Sequence, residues 1–182
     1  MNITPALQIT GWMSVSELGW LAKNAADHNI IVEAGCYYGR STRVLCDNTS
    51  GVVHAVDPWS GNYGKNFSKD GTPLAYITEG PNMIFNKFML NLNDHIFSKK
   101  CIMHIMEFHN TRIENPDMIF IDAIHDYEDV YRDIEHAMKL MDKGLLCGHD
   151  YSNEWPGVIQ AVDEWFPKIT KVFETIWFVE LT

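Results

Sequence analysis

Short, nearly continuous apolar runs alternate with longer amphipathic stretches along most of this chain. Ile30-Ile31-Val32, Val52-Val53 with Ala55-Val56, Met118-Ile119-Phe120-Ile121 and Leu145-Leu146-Cys147 are each bounded by polar residues or glycine. Runs of that kind belong to strands covered on both faces, as in a parallel sheet. Between them, apolar residues recur at three- and four-residue spacing: Val15, Leu18, Leu21 and Ala22; Ile84, Phe85, Phe88, Met89 and Leu92; Val130, Ile134, Ala137, Met138 and Met141; Val158, Ala161, Val162 and Trp165. Each stripe gives a helix one face to lay on a sheet. The pattern predicts helices over 14–24, 40–46 and 127–142, a helical or broken helical segment over 73–97, and a helix from Pro156. Strands are predicted over 29–34, 52–56, 101–108, 117–121 and 144–148, and the β-prone tail 171–181 supplies two more. Alternation of this kind predicts an α/β fold.

Local signals fix several boundaries. Ser14 followed by Glu17 has the spacing of a capping box, Asp126 stands at the N-cap of the 127–142 helix, and Pro156 suits a first helical turn. Glu128 and Arg132 are at ion-pair spacing on that helix. From Pro58 to Pro73 the sequence is rich in Gly, Asn, Ser, Asp and Lys without apolar period and reads as a loop. Loops of this length inside compact domains are commonly lids or binding loops, and Trp59 and Tyr63 offer stacking surface; a surface excursion without function is the alternative.

Composition narrows the class. With 182 residues, 46% of them hydrophobic, the chain has the size of one domain spanning 1–182, with 1–28 as a helical cover and 58–73 as the lid. No charged-then-apolar leader and no apolar run of bilayer length occur, so a cytoplasmic protein is expected. Cys36, Cys46, Cys101 and Cys147 are widely spaced and suggest neither a zinc cluster nor a disulfide framework. A formal charge of −10 with scattered Lys and Arg argues against nucleic acid as partner, since phosphates call for a basic face, and against an anionic membrane. Oligomeric state stays open, with a second copy of the chain allowed by tryptophans such as Trp12, Trp20, Trp155 and Trp177.

The richest chemistry lies in Val32-Glu33-Ala34-Gly35-Cys36-Tyr37-Tyr38-Gly39-Arg40-Ser41-Thr42. Glycine after a strand lets the backbone bend and approach a ligand, and the helix that follows offers free N–H groups. Asp57 ends the next strand at roughly the twenty-residue offset where a nucleotide fold places its ribose acid. Tyr37 fills the middle glycine of the nicotinamide fingerprint, and Glu33 would repel a pyrophosphate but suits an ammonium group. A tight turn without ligand is the plain alternative. Asp122, His125, His149 and Asp150 follow strand ends and have no local duty.

The glycine segment, together with Ala55-Val56-Asp57-Pro58-Trp59, Phe120-Ile121-Asp122-Ala123-Ile124-His125-Asp126-Tyr127 and Gly148-His149-Asp150-Tyr151, resembles the class I S-adenosylmethionine-dependent methyltransferases. The likeness covers most of the chain from Ile30 onward and is nearest to the small metal-dependent sugar and catechol O-methyltransferases. It implies a Rossmann-like three-layer sandwich, with a mostly parallel seven-stranded sheet and an antiparallel C-terminal strand. It also implies S-adenosylmethionine held by Glu33, Gly35, Tyr37, Gly39, Ser41, Asp57, Trp59 and Glu107. Asp122 and Asp150 correspond to magnesium ligands; the third ligand of the family falls at Tyr151, an unsuitable donor, leaving His149, Asn153 or water in its place. His125 is the candidate base, with Asp122 beside it in the catalytic set; a loop histidine and hydrogen-bonding acids are the plain alternatives. The implied activity is methyl transfer to a hydroxyl of a small molecule or sugar. A metal-free N- or carboxyl-methyltransferase, a nucleotide-dependent oxidoreductase and a non-catalytic binding module stand as alternatives.

Overall fold

The computed structural model describes residues 1–60, 81–168 and 170–182. Its strands are β1 (Ile30–Ala34), β2 (Val52–Val56), β3 (Cys101–His104), β4 (Met118–Ile121), β5 (Gly144–Gly148), β6 (Lys171–Phe173) and β7 (Ile176–Leu181), joined in one sheet of order β3-β2-β1-β4-β5-β7-β6. β1 to β5 run parallel; β7 is antiparallel to both β5 and β6. The helices are α1 (Val15–Ala25), α2 (Arg40–Asn48), α3 (Pro81–Asn91), α4 (Asn93–Phe97), α5 (Tyr127–Leu140) and α6 (Pro156–Trp165).

Strand alternation divides the core into two layers. Ile31, Val53, Ala55, Met118, Phe120, Leu145 and Cys147 pack with residues of α1, α2 and α3. Val32, Val56, Ile119, Ile121 and Leu146 pack with residues of α5 and α6. Helices cover both faces, which gives the three-layer sandwich expected from the sequence.

Register decides where the chemistry goes. Ala34 pairs with Val56 on one side and Ile121 on the other, and Ile121 pairs with Gly148. One residue beyond those partners stand Gly35, Asp57, Asp122 and His149, in a row along the C-terminal edge of the parallel strands. Ligands of open α/β sheets bind at that edge.

Several boundaries differ from the sequence pattern. The third strand stops at His104 rather than running to Phe108, because β2, its only partner among the described residues, ends at Val56 opposite His104; Ile105 and Met106 are exposed beyond it. The described part of 73–97 is two helices interrupted at Leu92, whose φ of −112° and ψ of 9° leave the helical region. Ser14 and Glu17 form the capping box in both directions, and Pro156 sits in the first turn of α6. Asp126 holds the cap position of α5 but its side chain makes no capping bond. Arg132 pairs with Asp129 rather than Glu128. Of the 58–73 loop only Pro58 to Ser60 are described, so Tyr63 and the lid lie outside the described residues.

Candidate active site

The turn after β1 is built around one carboxylate. Gly35 takes a φ of 86°, and a Cβ there would stand 2.1 Å from the Asp122 carbonyl oxygen. Only glycine allows the ends of β1 and β4 to approach so closely. Tyr37 is also left-handed, with φ 48°. Its backbone N–H and that of Cys36 donate to Asp57 Oδ2 at 3.1 and 2.9 Å, and the Trp59 N–H donates to Asp57 Oδ1 at 2.6 Å. Asp57 thereby locks the turn while facing the cavity; burial pushes its pKa up, against those three bonds.

At the neighbouring strand ends four side chains converge. His125 Nε2 lies 2.8 Å from Asp150 Oδ2 and 3.8 Å from Asp122 Oδ1. His149 Nδ1 lies 3.3 Å from Asp150 Oδ2 and 3.7 Å from Asp122 Oδ1. The contacts to His125 are charge contacts, since neither ring nitrogen has an aligned hydrogen bond. His149 turns its other nitrogen to Glu17 Oε1 at 3.3 Å and Thr175 Oγ1 at 3.0 Å. Burial opposes charge on both imidazoles, but the acids prevail: Asp122 and Asp150 bring His125 to about 9, and Asp122, Asp150 and Glu17 bring His149 to about 11. Asp150, held at φ 61°, is correspondingly lowered despite its burial.

Both constructions open on one cavity of about 590 Å³. Gly35, Tyr37, Ser41, Asp57, Glu107, Asp122, His125 and Asp150 all border it. Gly39, Glu33 and Trp59 are not in its wall. Gly39 caps α2 at φ 86°, with Leu92 and Phe88 against it. Glu33 points to the α2 face of β1, fully buried, where Thr42 donates to it and burial raises it to about 7. Trp59 packs between Phe85 and Phe88.

Residues 32–151 match a protein family described as a methyltransferase domain. The chain belongs to that family. It is a class I S-adenosylmethionine-dependent methyltransferase, and its mostly parallel seven-stranded sheet with antiparallel C-terminal strands is the one the resemblance implies. Among solved structures, the O-methyltransferase NovP is similar over 93% of this chain and 81% of its own, with 13% identity and a TM-score of 0.70. An O-methyltransferase from Bacillus cereus in complex with SAH covers 99% and 90%, with 16% identity and a TM-score of 0.64. A putative rRNA methylase from Clostridium thermocellum covers 96% and 100%, with 11% identity and a TM-score of 0.61. No curated protein matches the sequence.

In this methyltransferase, Asp122, His149 and Asp150 each bring one donor atom within 4.8 Å of the others. The donor set fits a divalent cation: two carboxylates and one imidazole, whose far nitrogen rests on a carboxylate as metal-bound histidines commonly do. In the sequence Glu17 is legible only as a capping residue, and nothing local links it to His149, 132 positions away. Arg40 is legible only as a helix residue, yet its Nη1 donates to the carbonyls of Ile9 and Gly11, tying the N-terminal segment over the cavity. Among the described residues no helix is long and apolar enough to cross a membrane.

Proposed function

We propose that this methyltransferase methylates a hydroxyl oxygen of a small molecule or sugar, with a divalent cation held by Asp122, His149 and Asp150. The observation that carries the reading is that the acid and histidine cluster shares a cavity with the glycine turn. S-adenosylmethionine supplies a methyl group on a positively charged sulfur; the new bond is O–C, the bond broken is C–S, and the hydroxyl proton must leave. Asp57, fixed by the N–H groups that donate to it, accepts from the ribose hydroxyls, and Ser41 with the start of α2 receives the carboxylate end. Such alignment is the main lever for a displacement of this kind, worth up to roughly 7 to 11 kcal/mol.

A cation on the cluster would bind the acceptor oxygen and lower its hydroxyl pKa. Magnesium suits the two carboxylates, and the imidazole admits manganese and other borderline ions as well. A base must be empty to work. His125 keeps its proton to about pH 9 while Asp122 and Asp150 face it as anions. A cation held by Asp122 and Asp150 would take up the charge that keeps this proton on His125, and the emptied imidazole would then be placed to accept the acceptor's hydroxyl proton. Trp155, 4.4 Å from His125 between ring centroids, walls the acceptor side.

Calorimetric titration of S-adenosylmethionine and S-adenosylhomocysteine on wild type and Asp57→Asn, followed by an acceptor screen with hydroxylated compounds, amines, carboxylic acids and ribosomal RNA fragments, tests the reading. Transfer to hydroxyls that stops on chelation and in Asp122→Asn supports it. Transfer to nitrogen or carboxylate that survives both favours the metal-free alternative, and binding of neither ligand removes the function.

A further inference from the structure

Arg40 opens α2, directly after Gly39 at the cap and before Ser41. A cation at that end meets the positive pole of the helix dipole and is disfavoured, and the first turn carries no acid to offset it. Among the described residues the side chain has no ion pair, and its Nε is buried without a hydrogen bond. A buried donor without a partner is costly and needs a reason. The helix gains nothing from this arginine, so its use lies elsewhere.

What it holds is the N-terminal strap. Its Nη1 donates to the Ile9 carbonyl at 3.3 Å and the Gly11 carbonyl at 3.0 Å. The strap rests on the alkyl stem as well, since a Cβ on Gly11 would come within 2.8 Å of Arg40 Cδ. Ile9 and Met13 are buried, whereas Trp12 between them is 61% exposed. Thr10 and Met13 make no hydrogen bond with the described residues, which leaves two buried side chains and one guanidinium as the main fastening. The Trp12 ring stands 5.0 Å from that of Tyr37, so the strap reaches from the start of α2 to the turn after β1. Thr10, Gly11, Trp12 and Met13 border the cavity, as do Arg40 and Ser41.

We infer that Arg40 is a positioning residue that latches the strap over the methionine end of the cofactor, making it a gate that must lift for S-adenosylmethionine to enter and S-adenosylhomocysteine to leave. The inference rests on the cofactor placement proposed above, with the carboxylate end at Ser41. Two hydrogen bonds to carbonyls that water can satisfy once they part allow local opening without unfolding of the domain. The competing role for Arg40 is attraction of the cofactor carboxylate, and the two roles differ in sign. A gate slows arrival and departure alike, whereas an attractive charge speeds arrival and slows departure.

The test is stopped-flow association and dissociation of S-adenosylhomocysteine with the full chain at one ionic strength, on wild type, Arg40→Met and Trp12→Ala, each with a melting curve. Arg40→Met keeps the apolar stem and removes the donors. Both rate constants should rise in it, dissociation by roughly tenfold, as for loss of a charged hydrogen bond, and Kd should change by less than the dissociation rate. Trp12→Ala, a change at an exposed side chain, should also raise both. Faster dissociation with slower or unchanged association in Arg40→Met assigns the guanidinium to the carboxylate and overturns the gate. Unchanged rates in that variant overturn it too, as do unchanged rates in Trp12→Ala should Arg40→Met fail to fold. Folded wild type that binds no S-adenosylhomocysteine removes the cofactor placement together with this inference, an outcome distinct from all of these.

Discussion

Glu17 serves both a helix end and the site. Its Oε2 accepts the Ser14 N–H at 2.8 Å, and its Oε1 accepts from Thr175 Oγ1 at 2.6 Å and faces His149. Burial works against the charge, yet the bonds from His149, Thr175 and Ser14 hold its pKa at about 2, below the unperturbed 4.5. The unfolded chain thus binds the proton more readily, so this stabilisation is complete above pH 4.5 and disappears as pH falls toward 2. Denaturant melts of Glu17→Gln should show a flatter pH dependence across that window than wild type. The same variant should bind manganese roughly 10- to 100-fold more weakly, the usual cost of losing a carboxylate behind a metal-bound histidine; unchanged affinity would show that His149 is not a ligand. Gly35 poses a steric question instead. Alanine there meets the Asp122 carbonyl and a strained φ, which costs of order 1–3 kcal/mol from the backbone alone. The expected fall is roughly 2–4 °C in Tm per kcal/mol for a chain of this size, with cofactor binding lost as the turn opens. The glycine was legible because its role is local, whereas the partner of Glu17 is set by folding.

At the scale of elements, α1 links the capping box to the cluster. Ser14 accepts the Glu17 N–H at 3.1 Å while Glu17 returns the bond. Ser14→Ala should cost about 1 kcal/mol and, by loosening the first turn of α1, weaken manganese binding as well as stability. A stability loss without any change in metal affinity would show that Thr175 alone positions Glu17. Periodicity found α1, α5 and α6 because each lays one stripe on the sheet, and it found β1, β2, β4 and β5 because both their faces are covered. It overran β3, an edge strand whose length is dictated by where β2 ends. It allowed a broken helix over 73–97 without placing the break, since Phe88 before it and Leu92 at it are both buried and the apolar stripe continues through the interruption.

Across the whole molecule, the sign of charge at the sheet edge has two sources: register brings Asp57, Asp122 and Asp150 together at the ends of β2, β4 and β5, and helices and loops add further acids around them. Glu17, Asp57, Glu107, Asp122, Asp133, Asp150, Glu154 and Glu174 all border the cavity, against a single arginine, Arg40, and two histidines, His125 and His149, among the described residues. The chain as a whole carries −10. A concave surface of one sign concentrates counter-charged ligands and speeds their arrival. S-adenosylmethionine carries one more positive charge than S-adenosylhomocysteine, so the field should favour entry of the methyl donor over retention of the product. Salt screens that preference, with a Debye length of roughly 20 Å or more at about 0.02 M falling below about 5 Å at 0.5 M. Stopped-flow association should therefore slow about tenfold for S-adenosylmethionine between those conditions, while S-adenosylhomocysteine changes little. Equal salt dependence for the two would mean that the histidines neutralise the acids before the ligand arrives, and that turnover is not helped by charge.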